Sequence, residues 1–280
     1  MGAGFEWDET LYAGSAGFYA IGRLPYPEAM VDAIASELSL DGSGRLLDVG
    51  CGPGNVALLL SSLFETVVGV DPDHGMIEEA ERQAERRGVA NAEWHVLHAE
   101  DLPAGLGSFR VATFAQSFHW MDRQRVAERV SDMLERDGAW VHVGATTHRG
   151  VEEDSPPQPA PPRAEIDELI RRYLGPTRRA GRGSLPDGTA AGEEEIMLAA
   201  GFADPTRVEV PRGEIFTRST DEIVASVYSL SYAAPHLFGD QRARFEADLR
   251  NLLATASPTG VFRERARGIE LVIWRKPAAT

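Results

Sequence analysis

The stretch that decides the fold is Leu46-Leu47-Asp48-Val49-Gly50-Cys51-Gly52-Pro53-Gly54-Asn55, or LLDVGCGPGN at residues 46–55. Its first half is an apolar run typical of a buried strand, and its second half is a turn with three alternating glycines. Glycine has no side chain, so backbone at such a turn can approach a ligand closely. A glycine-rich turn between a strand and a helix indicates a nucleotide-type ligand, and dinucleotides use turns of this kind too.

Two details of this turn narrow the class of ligand. The glycine spacing is GxGxG, whereas dinucleotide-binding turns have GxGxxG. Asp48 precedes the first glycine by two residues, where its charge repels a pyrophosphate and attracts an amino group or a sulfonium. Asp71 follows the next apolar run, 21 residues after Gly50. An acidic residue at that place accepts ribose hydroxyls, although Asp71 is also suited to capping the next helix.

Outward from the turn, β-rich runs alternate with helical patterns through the first half of the chain. Strands are predicted at residues 46–49, 66–70, 93–97, 109–114 and 140–143, and helices at 55–64 and 76–87. An earlier helix is predicted to open at Tyr26-Pro27-Glu28 and to be ended by residues 41–44. A further helical stripe ends at Leu134, and Gly138 is the expected helix C-cap. This alternation predicts a mainly parallel sheet with helices on both faces.

The second half of the chain has a different character. Residues 154–163 (DSPPQPAPPR) hold five prolines and predict a linker or mobile loop. Helices are predicted at residues 164–174, 193–201, 220–231 and 241–254, an extended segment at 206–217 broken at Pro211-Arg212-Gly213, and a closing strand at 269–274. We expect residues 149–195 and 218–268 to be insertions that form a substrate cap.

Composition excludes several classes of protein. The single cysteine, Cys51, precludes a disulfide framework within the chain. No apolar run reaches 18 residues, and the acidic first ten residues lack the basic region of a signal peptide, which favours a cytoplasmic protein without membrane attachment. The net charge of −15 disfavours nucleic acid as a partner. The histidines show no metal-binding spacing, so no metal site is predicted.

Four segments, in this order and spacing, resemble the class I S-adenosylmethionine-dependent methyltransferases. They are LLDVGCGPGN at 46–55, VVGVDPDHGMIEEA at 67–80, HAEDLP at 98–103 and FAQSFHWMD at 114–122. The segment YAIGRLPYPE at 19–28 is similar to the helical N-terminal cover of a small-molecule, type 11-like subgroup. The resemblance spans roughly residues 12–146.

The resemblance implies an α/β fold with a Rossmann-like, doubly wound sheet of seven strands. The expected strand order is 3-2-1-4-5-7-6, with strand 7 antiparallel, and the closing strand at 269–274 is assigned as strand 7. Residues 1–280 then form one methyltransferase domain, with an N-terminal helical cover at 1–40 and a cofactor-binding core at 41–148.

Carried over by position, the resemblance implies a site for S-adenosyl-L-methionine. Gly50 and Gly52 border its methionine part, Asp48 lies near its amino group, and Asp71 holds its ribose. Many members have an aspartate directly before Ala99 to accept the adenine amino group, whereas this chain has His98. The Ala99 amide, Glu100 or Asp101 then serves the adenine. The predicted cofactor-binding residues are Tyr19, Arg23, Asp48, Gly50, Cys51, Gly52, Asn55, Asp71, Pro72, Met76, His98, Ala99, Glu100, Gln116 and Trp120.

The segment after strand 4 is predicted to lie where the methyl group meets its acceptor. His119 is the candidate catalytic residue: it acts as a base, or it only walls the pocket, which is the favoured reading. Trp120 offers an aromatic face to a sulfonium, or fills the core. Tyr228, Ser231 and Tyr232, at the end of a predicted lid helix, offer hydroxyl groups to the substrate. A basic cluster attracts an anionic substrate or forms solvated surface: Arg171, Arg172, Arg178, Arg179 and Arg182.

The predicted function is methyl transfer to an oxygen, nitrogen or carbon of a small molecule, mainly by alignment and desolvation. Two alternatives stay open. One is an enzyme that binds S-adenosylmethionine and performs a cyclisation or rearrangement, and the other is a non-catalytic cofactor-binding partner protein. The sequence does not predict the oligomeric state.

Overall fold

A computed structural model of the chain describes residues 10–151, 158–176 and 192–277. The strands in these ranges are β1 (Arg45–Val49), β2 (Thr66–Asp71), β3 (Ala92–Val96), β4 (Phe109–Ala115), β5 (Leu134–Gly144), β6 (Thr206–Val210), β7 (Ile215–Ser219), β8 (Val261–Arg265) and β9 (Ile269–Arg275). The helices are α1 (Ala16–Gly22), α2 (Glu28–Glu37), α3 (Asn55–Leu60), α4 (His74–Arg87), α5 (Arg123–Met133), α6 (Arg163–Leu174), α7 (Glu193–Ala199), α8 (Thr220–Tyr228) and α9 (Arg242–Ala256). None of the helices in these ranges has both the length and the apolar character needed to cross a bilayer.

Seven strands form one sheet in the order β3-β2-β1-β4-β5-β9-β6. The first five are parallel, and β9 runs antiparallel to both of its neighbours. Strand β9 therefore occupies the place predicted for strand 7, and the predicted fold class is confirmed. Strands β7 and β8 pair in a separate two-stranded sheet.

The core of the large sheet follows from its parallel strands, which are apolar on both faces. Leu46 and Leu47 of β1 are fully buried and point to opposite faces. Leu46 packs in a cluster with Met30 and Ile34 of α2, while Leu47 belongs to the cluster that holds Trp140. The two layers fix β1 at the centre of the fold, with the glycine turn at its carboxyl end.

A third apolar cluster lies among α6, α8 and α9. We call these three helices, together with β7 and β8, the helical subdomain. Its core is aromatic and includes the buried rings of Tyr228, Phe238 and Phe245. Helix α1 packs on α8 so closely that a Cβ at Gly22 would lie 2.3 Å from the carbonyl carbon of Ala225 and from the backbone nitrogen of Ser226. The N-terminal cover is thus fixed to the helical subdomain.

A buried ion cluster reinforces this connection. Glu264 of β8 is 2% exposed and accepts hydrogen bonds from Arg163 and Arg218, each at 2.8 Å. It also accepts the backbone N–H of Gly150 at 2.6 Å, and Arg218 donates to the carbonyl of Gly22 at 2.7 Å. Burial acts to raise the pKa of Glu264, but Arg163 and Arg218 hold it below its ordinary value.

Two local predictions differ from the structure. Gly138 is not the C-cap of α5, because the helix already ends at Met133 and the chain turns directly into β5 at Leu134. Gly138 lies within β5, where the pairing with β4 is irregular between Phe109 and Val111. The predicted extended segment at 206–217 is divided between the two sheets, with β6 in one and β7 in the other.

Candidate cofactor site

The glycine turn at residues 50–54 is held against the end of β2. The N–H groups of Gly50 and Cys51 donate to the carbonyl of Val70 at 2.8 and 3.1 Å. Gly50, Gly52 and Gly54 have φ of 67°, 53° and 78°, a region that residues with a Cβ rarely adopt. A Cβ at Gly52 would meet no atom within 4 Å, so the turn leaves open space there.

Asp71 braces this turn from the end of β2. Its carboxylate accepts the backbone N–H of Gly52 and that of Asp73, each at 2.9 Å. Burial raises the pKa of Asp71 to about 6. The N-cap of α4 is Asp73, whose carboxylate accepts the N–H of Met76 at 3.0 Å. The helix-capping role considered for Asp71 therefore belongs to its neighbour.

A cleft of about 630 Å³ opens beside the turn, at the carboxyl edge of β1, β2 and β4. It brings together eleven of the predicted cofactor-binding residues: Tyr19, Gly50, Gly52, Asp71, Pro72, Met76, His98, Ala99, Glu100, Gln116 and Trp120. Four further residues line it that sequence reasoning missed: Tyr12, Ala115, Ser117 and Met121. Ala115, Ser117 and Met121 lie inside the quoted FAQSFHWMD segment, so that segment was the available signal for them.

Tyr12 is the missed residue with the largest side chain. Its ring contacts the rings of Tyr19 and Trp120 edge-on, each with centroids 6.4 Å apart. Burial is the largest cause that raises the pKa of Tyr12, which keeps its hydroxyl protonated. Tyr12 lies before the first helix, in a stretch without periodicity, so no sequence pattern pointed to it.

Four predicted cofactor-binding residues do not line the cleft. Cys51 is buried, and Asn55 begins α3. Arg23 lies 4.1 Å from the ring centroid of Tyr19 and donates to Ser229 at 2.9 Å, so it contacts the cleft through Tyr19. Asp48 is 1% exposed and lies beneath the turn.

The carboxylate of Asp48 accepts hydrogen bonds from buried groups of the fold. It accepts the N–H of Ala57 at 3.2 Å and the hydroxyl of Thr113 at 2.8 Å. Burial raises its pKa to about 7. Asp48 therefore joins the start of α3 to β4, and any effect on a bound ammonium group acts through the intervening glycine turn.

Asp48→Asn is expected to change how stability depends on pH. The pKa of Asp48 is raised to about 7 in the folded protein from an ordinary value of 3.8, so the folded state retains a proton that the unfolded chain releases. As the pH rises from 4 to 7, the unfolding free energy of the original protein should therefore fall relative to that of the variant, by up to about 4 kcal/mol. Urea unfolding of both proteins from pH 4.5 to 8 measures this difference, and parallel pH curves would contradict it.

On the side of the cleft predicted to hold adenine, one carboxylate already accepts a hydrogen bond from the protein's own backbone. Glu100 lines the cleft, but its Oε1 accepts the backbone N–H of Asp122 at 2.7 Å, at the start of α5. Asp101 is exposed and does not line the cleft. His98 and the buried Ala99 remain to face an adenine there.

His119 lines a neighbouring cavity and not the cofactor cleft. That cavity also contains His142 and Glu193, whose Nε2 and Oε1 atoms are 3.4 Å apart. Burial, with Arg123 as a smaller cause, lowers the pKa of His119 and leaves its imidazole neutral at pH 7. Gln116 lines both spaces and has a φ of 57°, unusual for a residue with a side chain.

None of the three residues predicted to offer substrate hydroxyls lines the cleft. Tyr228 is fully buried in the helical subdomain, 5.0 Å from the ring centroid of Phe18. Ser231 is buried and Tyr232 partly buried, and neither lines the cleft. In the basic cluster, Arg171 pairs with Glu168 at 3.0 Å. Arg172 is exposed, and the cluster members Arg178, Arg179 and Arg182 lie outside the described residues.

Comparison with known proteins agrees with this geometry. Residues 46–138 match the family model described as a methyltransferase domain. The uncharacterized methyltransferase YcgJ of Bacillus subtilis is 33% identical over 100 residues, which cover 35% of this chain and 40% of YcgJ. The 23S rRNA (uracil(1939)-C(5))-methyltransferase RlmD of Xylella fastidiosa is 46% identical over 66 residues, covering 22% of this chain and 15% of RlmD.

Two solved structures share the fold. The YcgJ structure has a TM-score of 0.50 at 18% identity and covers 90% of this chain and all of YcgJ. A structure from Anaeromyxobacter dehalogenans, described as a type II methyltransferase, has a TM-score of 0.55 at 22% identity, covering 91% of this chain and 98% of that one. Residues 46–138 thus match a methyltransferase domain, and the sheet that contains them has the fold of these methyltransferase structures. The aligned segments span less than half the length of YcgJ and RlmD.

Proposed function

We propose that this protein transfers a methyl group from S-adenosyl-L-methionine to a small-molecule acceptor. The observation that carries the proposal is the convergence of the open glycine turn and the Asp71 carboxylate on one cleft. The cleft lies at the carboxyl edge of the sheet, near the point between β1 and β4 where the strand order reverses. Ligands of open α/β sheets bind at this kind of crevice.

The residues around the cleft fit this cofactor. The open side of Gly52 leaves room for the methionine part next to backbone. Asp71 retains lone pairs for ribose hydroxyls after accepting one N–H on each oxygen. Met76 and Ala99 supply apolar surface for adenine. When bound, the cofactor supplies an electrophilic methyl group on a sulfonium.

The protein's own contribution is to bind, orient and exclude water. Tyr12, Tyr19 and Trp120 form an aromatic side of the cleft, and aromatic rings favour a nearby cation. Alignment of two bound reactants can supply roughly 7–11 kcal/mol of barrier lowering. His119 forms a wall of the adjoining space and is not required as a base under this proposal.

The proposed acceptor is a small molecule and not RNA. The net charge of −15 opposes binding of a phosphate backbone, and the match to RlmD covers only 22% of this chain. We also propose that residues 149–195 and 218–268 act as the substrate cap. Glu264 links Gly150 and Arg163 in the first of these segments with Arg218 in the second.

Asp71→Ala is expected to weaken S-adenosylhomocysteine binding by about 1.5–3 kcal/mol, the scale of hydrogen bonds to a charged group. Isothermal titration calorimetry measures the dissociation constant, and circular dichroism checks that the fold is kept. Asp71→Asn should give a smaller loss, since its amide oxygen still accepts one N–H. Asp101→Asn is the matched control, because Asp101 is exposed nearby and outside the cleft.

An unchanged dissociation constant for Asp71→Ala would remove Asp71 from the ribose site. Failure of the original protein to bind S-adenosylhomocysteine would favour the non-catalytic partner protein. Cofactor binding followed by substrate conversion without release of S-adenosylhomocysteine would favour a cyclisation or rearrangement.

A further inference from the structure

A further cavity, of about 680 Å³, opens beside the cofactor cleft and differs from the one that His119 lines. Gln116 lines both this cavity and the cofactor cleft. Two arginines face it, Arg212 from the turn after β6 and Arg267 from the turn before β9. Thr146, two residues beyond β5, adds a hydroxyl group. We call this space the arginine cavity.

The sheet topology places both arginines at the ligand edge. Strand β6 runs antiparallel to β9, and β9 antiparallel to β5, so β6 runs parallel to the first five strands. The carboxyl end of β6 and the amino end of β9 therefore meet at the edge where the cofactor cleft lies. The pairing of Val210 with Ile269 brings the two turns side by side.

Backbone hydrogen bonds hold the two turns together. The N–H of Gly213 donates to the carbonyl of Ala266 at 3.2 Å, and the N–H of Ala266 donates to the carbonyl of Glu214 at 3.0 Å. The guanidinium of Arg265 also donates to the carbonyl of Gly213 at 3.2 Å. The Cα positions of Arg212 and Arg267 are thus fixed before any ligand binds, as a binding site requires.

The guanidinium groups of Arg212 and Arg267 retain N–H donors for a ligand. Across residues 10–151, 158–176 and 192–277, no acidic group forms a salt bridge with Arg212 or Arg267. The buried carboxylate of Glu264 accepts hydrogen bonds from Arg163 and Arg218. Each guanidinium presents a planar fork of donors that matches a carboxylate.

The surroundings add further positive charge. His148 lies close by, and burial is the largest cause that lowers its pKa. Positive charge adds to this effect, from four arginines: Arg23, Arg149, Arg163 and Arg267. In a chain with a net charge of −15, this is a local concentration of arginine beside the methyl-transfer site.

We propose that the acceptor is a small carboxylic acid whose carboxylate binds Arg212 and Arg267 in the arginine cavity. This inference rests on the proposed methyl transfer and names its substrate class. A carboxylic acid is ionised at neutral pH, so it can be held by the two guanidiniums without any proton transfer. Gln116 lies at the junction between the bound acid and the cofactor cleft.

Chemical protection tests the binding site without relying on turnover. Phenylglyoxal modifies accessible arginines, and peptide mass spectrometry reports each site separately. Acetate, succinate, citrate and benzoate are compared, each with its uncharged amide, and phenyl phosphate is a further probe, all with S-adenosylhomocysteine present. We expect at least one acid to protect both Arg212 and Arg267, and its amide to protect neither. Protection by phenyl phosphate alone, or by no acid, overturns the proposal.

Kinetics with the protecting acid test the role of each arginine. Arg212→Ala and Arg267→Ala should each raise the KM for the acid roughly 10- to 150-fold and leave kcat within about threefold, because the anchor binds ground and transition states alike. Arg212→Lys should give a KM between those of the original protein and Arg212→Ala, since lysine keeps the charge but lacks the planar fork of donors. Arg87→Ala, exposed in the last turn of α4, is the matched control.

The result also separates this proposal from the one on which it rests. If S-adenosylhomocysteine does not bind in calorimetry, the methyltransferase function fails. If it binds and methyl transfer to the protecting acid is insensitive to both arginine variants, only the carboxylic-acid proposal is overturned.

Discussion

Replacing Glu264 by alanine is expected to lower the free energy of unfolding by about 3–5 kcal/mol, the cost of removing one partner from a buried ion pair. The carboxylate is the common acceptor for Arg163, Arg218 and the N–H of Gly150. Arg218 is 3% exposed, so in the variant its charge would remain buried without an acidic partner. Urea unfolding at pH 7 measures the loss.

Glu270→Ala provides the matched control for that experiment. Glu270 pairs with Arg207 at 3.0 Å on adjacent strands, but both side chains are more than half exposed. Exposed pairs contribute about 0–1 kcal/mol, so this variant should remain close to the original protein. If the two variants lost similar amounts of unfolding free energy, burial would not explain the contribution of Glu264.

The pH dependence of the Glu264 contribution has a defined sign. Its pKa is held below the ordinary value, so the stabilisation is present at neutral pH and is lost as the pH falls through the folded pKa. The difference between the original protein and Glu264→Gln should therefore narrow in acid.

Gly22→Ala is expected to damage both stability and cofactor binding. The new methyl group would lie 2.3 Å from backbone atoms of Ala225 and Ser226, so α1 must move away from α8. Overpacking of this kind typically costs about 1–3 kcal/mol. Tyr19 of α1 lines the cofactor cleft, so its displacement should also raise the dissociation constant for S-adenosylhomocysteine. Thermal unfolding and calorimetry measure the two effects.

Gly17→Ala separates helix propensity from crowding in the same helix. A Cβ at Gly17 meets no atom within 4 Å, and alanine favours helix over glycine by up to about 1 kcal/mol. This control should be neutral or slightly more stable. If Gly22→Ala behaves like Gly17→Ala, the α1–α8 contact is not tight in solution.

The first half of the fold was predictable because its signals are local. The apolar run at Leu46–Val49 and the glycines after it define a strand and a turn without reference to distant residues. The position of β9 required the family resemblance, since nothing in its own sequence says that it pairs antiparallel with β5. Local pattern and family resemblance together gave the strand order.

The helical subdomain was harder to predict because its strands depend on distant partners. Strand β8 has the sequence VFRER, in which Glu264 is buried only because Arg163 and Arg218 reach it from other segments. Such a stretch has no continuous apolar run to mark it as a strand. Helix α1 of the N-terminal cover was also hard to predict, because it is short and most of its residues are not fully buried.

The sequence predicted which edge of the sheet holds the candidate site, but not the direction in which each side chain points. Eleven predicted residues line the cleft, because the carboxyl ends of parallel strands meet there. Sequence spacing does not say whether a side chain at such an edge points up into the cleft or down into the fold. Asp48 points down, to Ala57 and Thr113, and His119 faces the neighbouring cavity.

The position of β9 between β5 and β6 has a consequence for folding during synthesis. The ribosome produces β6 about 60 residues before β9, the strand with which it pairs. Until residues 269–275 emerge, the edge of β5 has no neighbour on that side and β6 has no place in the sheet. Pairings of such long sequence separation form slowly and leave strand edges open to aggregation. A nascent chain that has reached residue 268 therefore carries the glycine turn and the Asp71 carboxylate, but its arginine cavity can form only after the final strand is released.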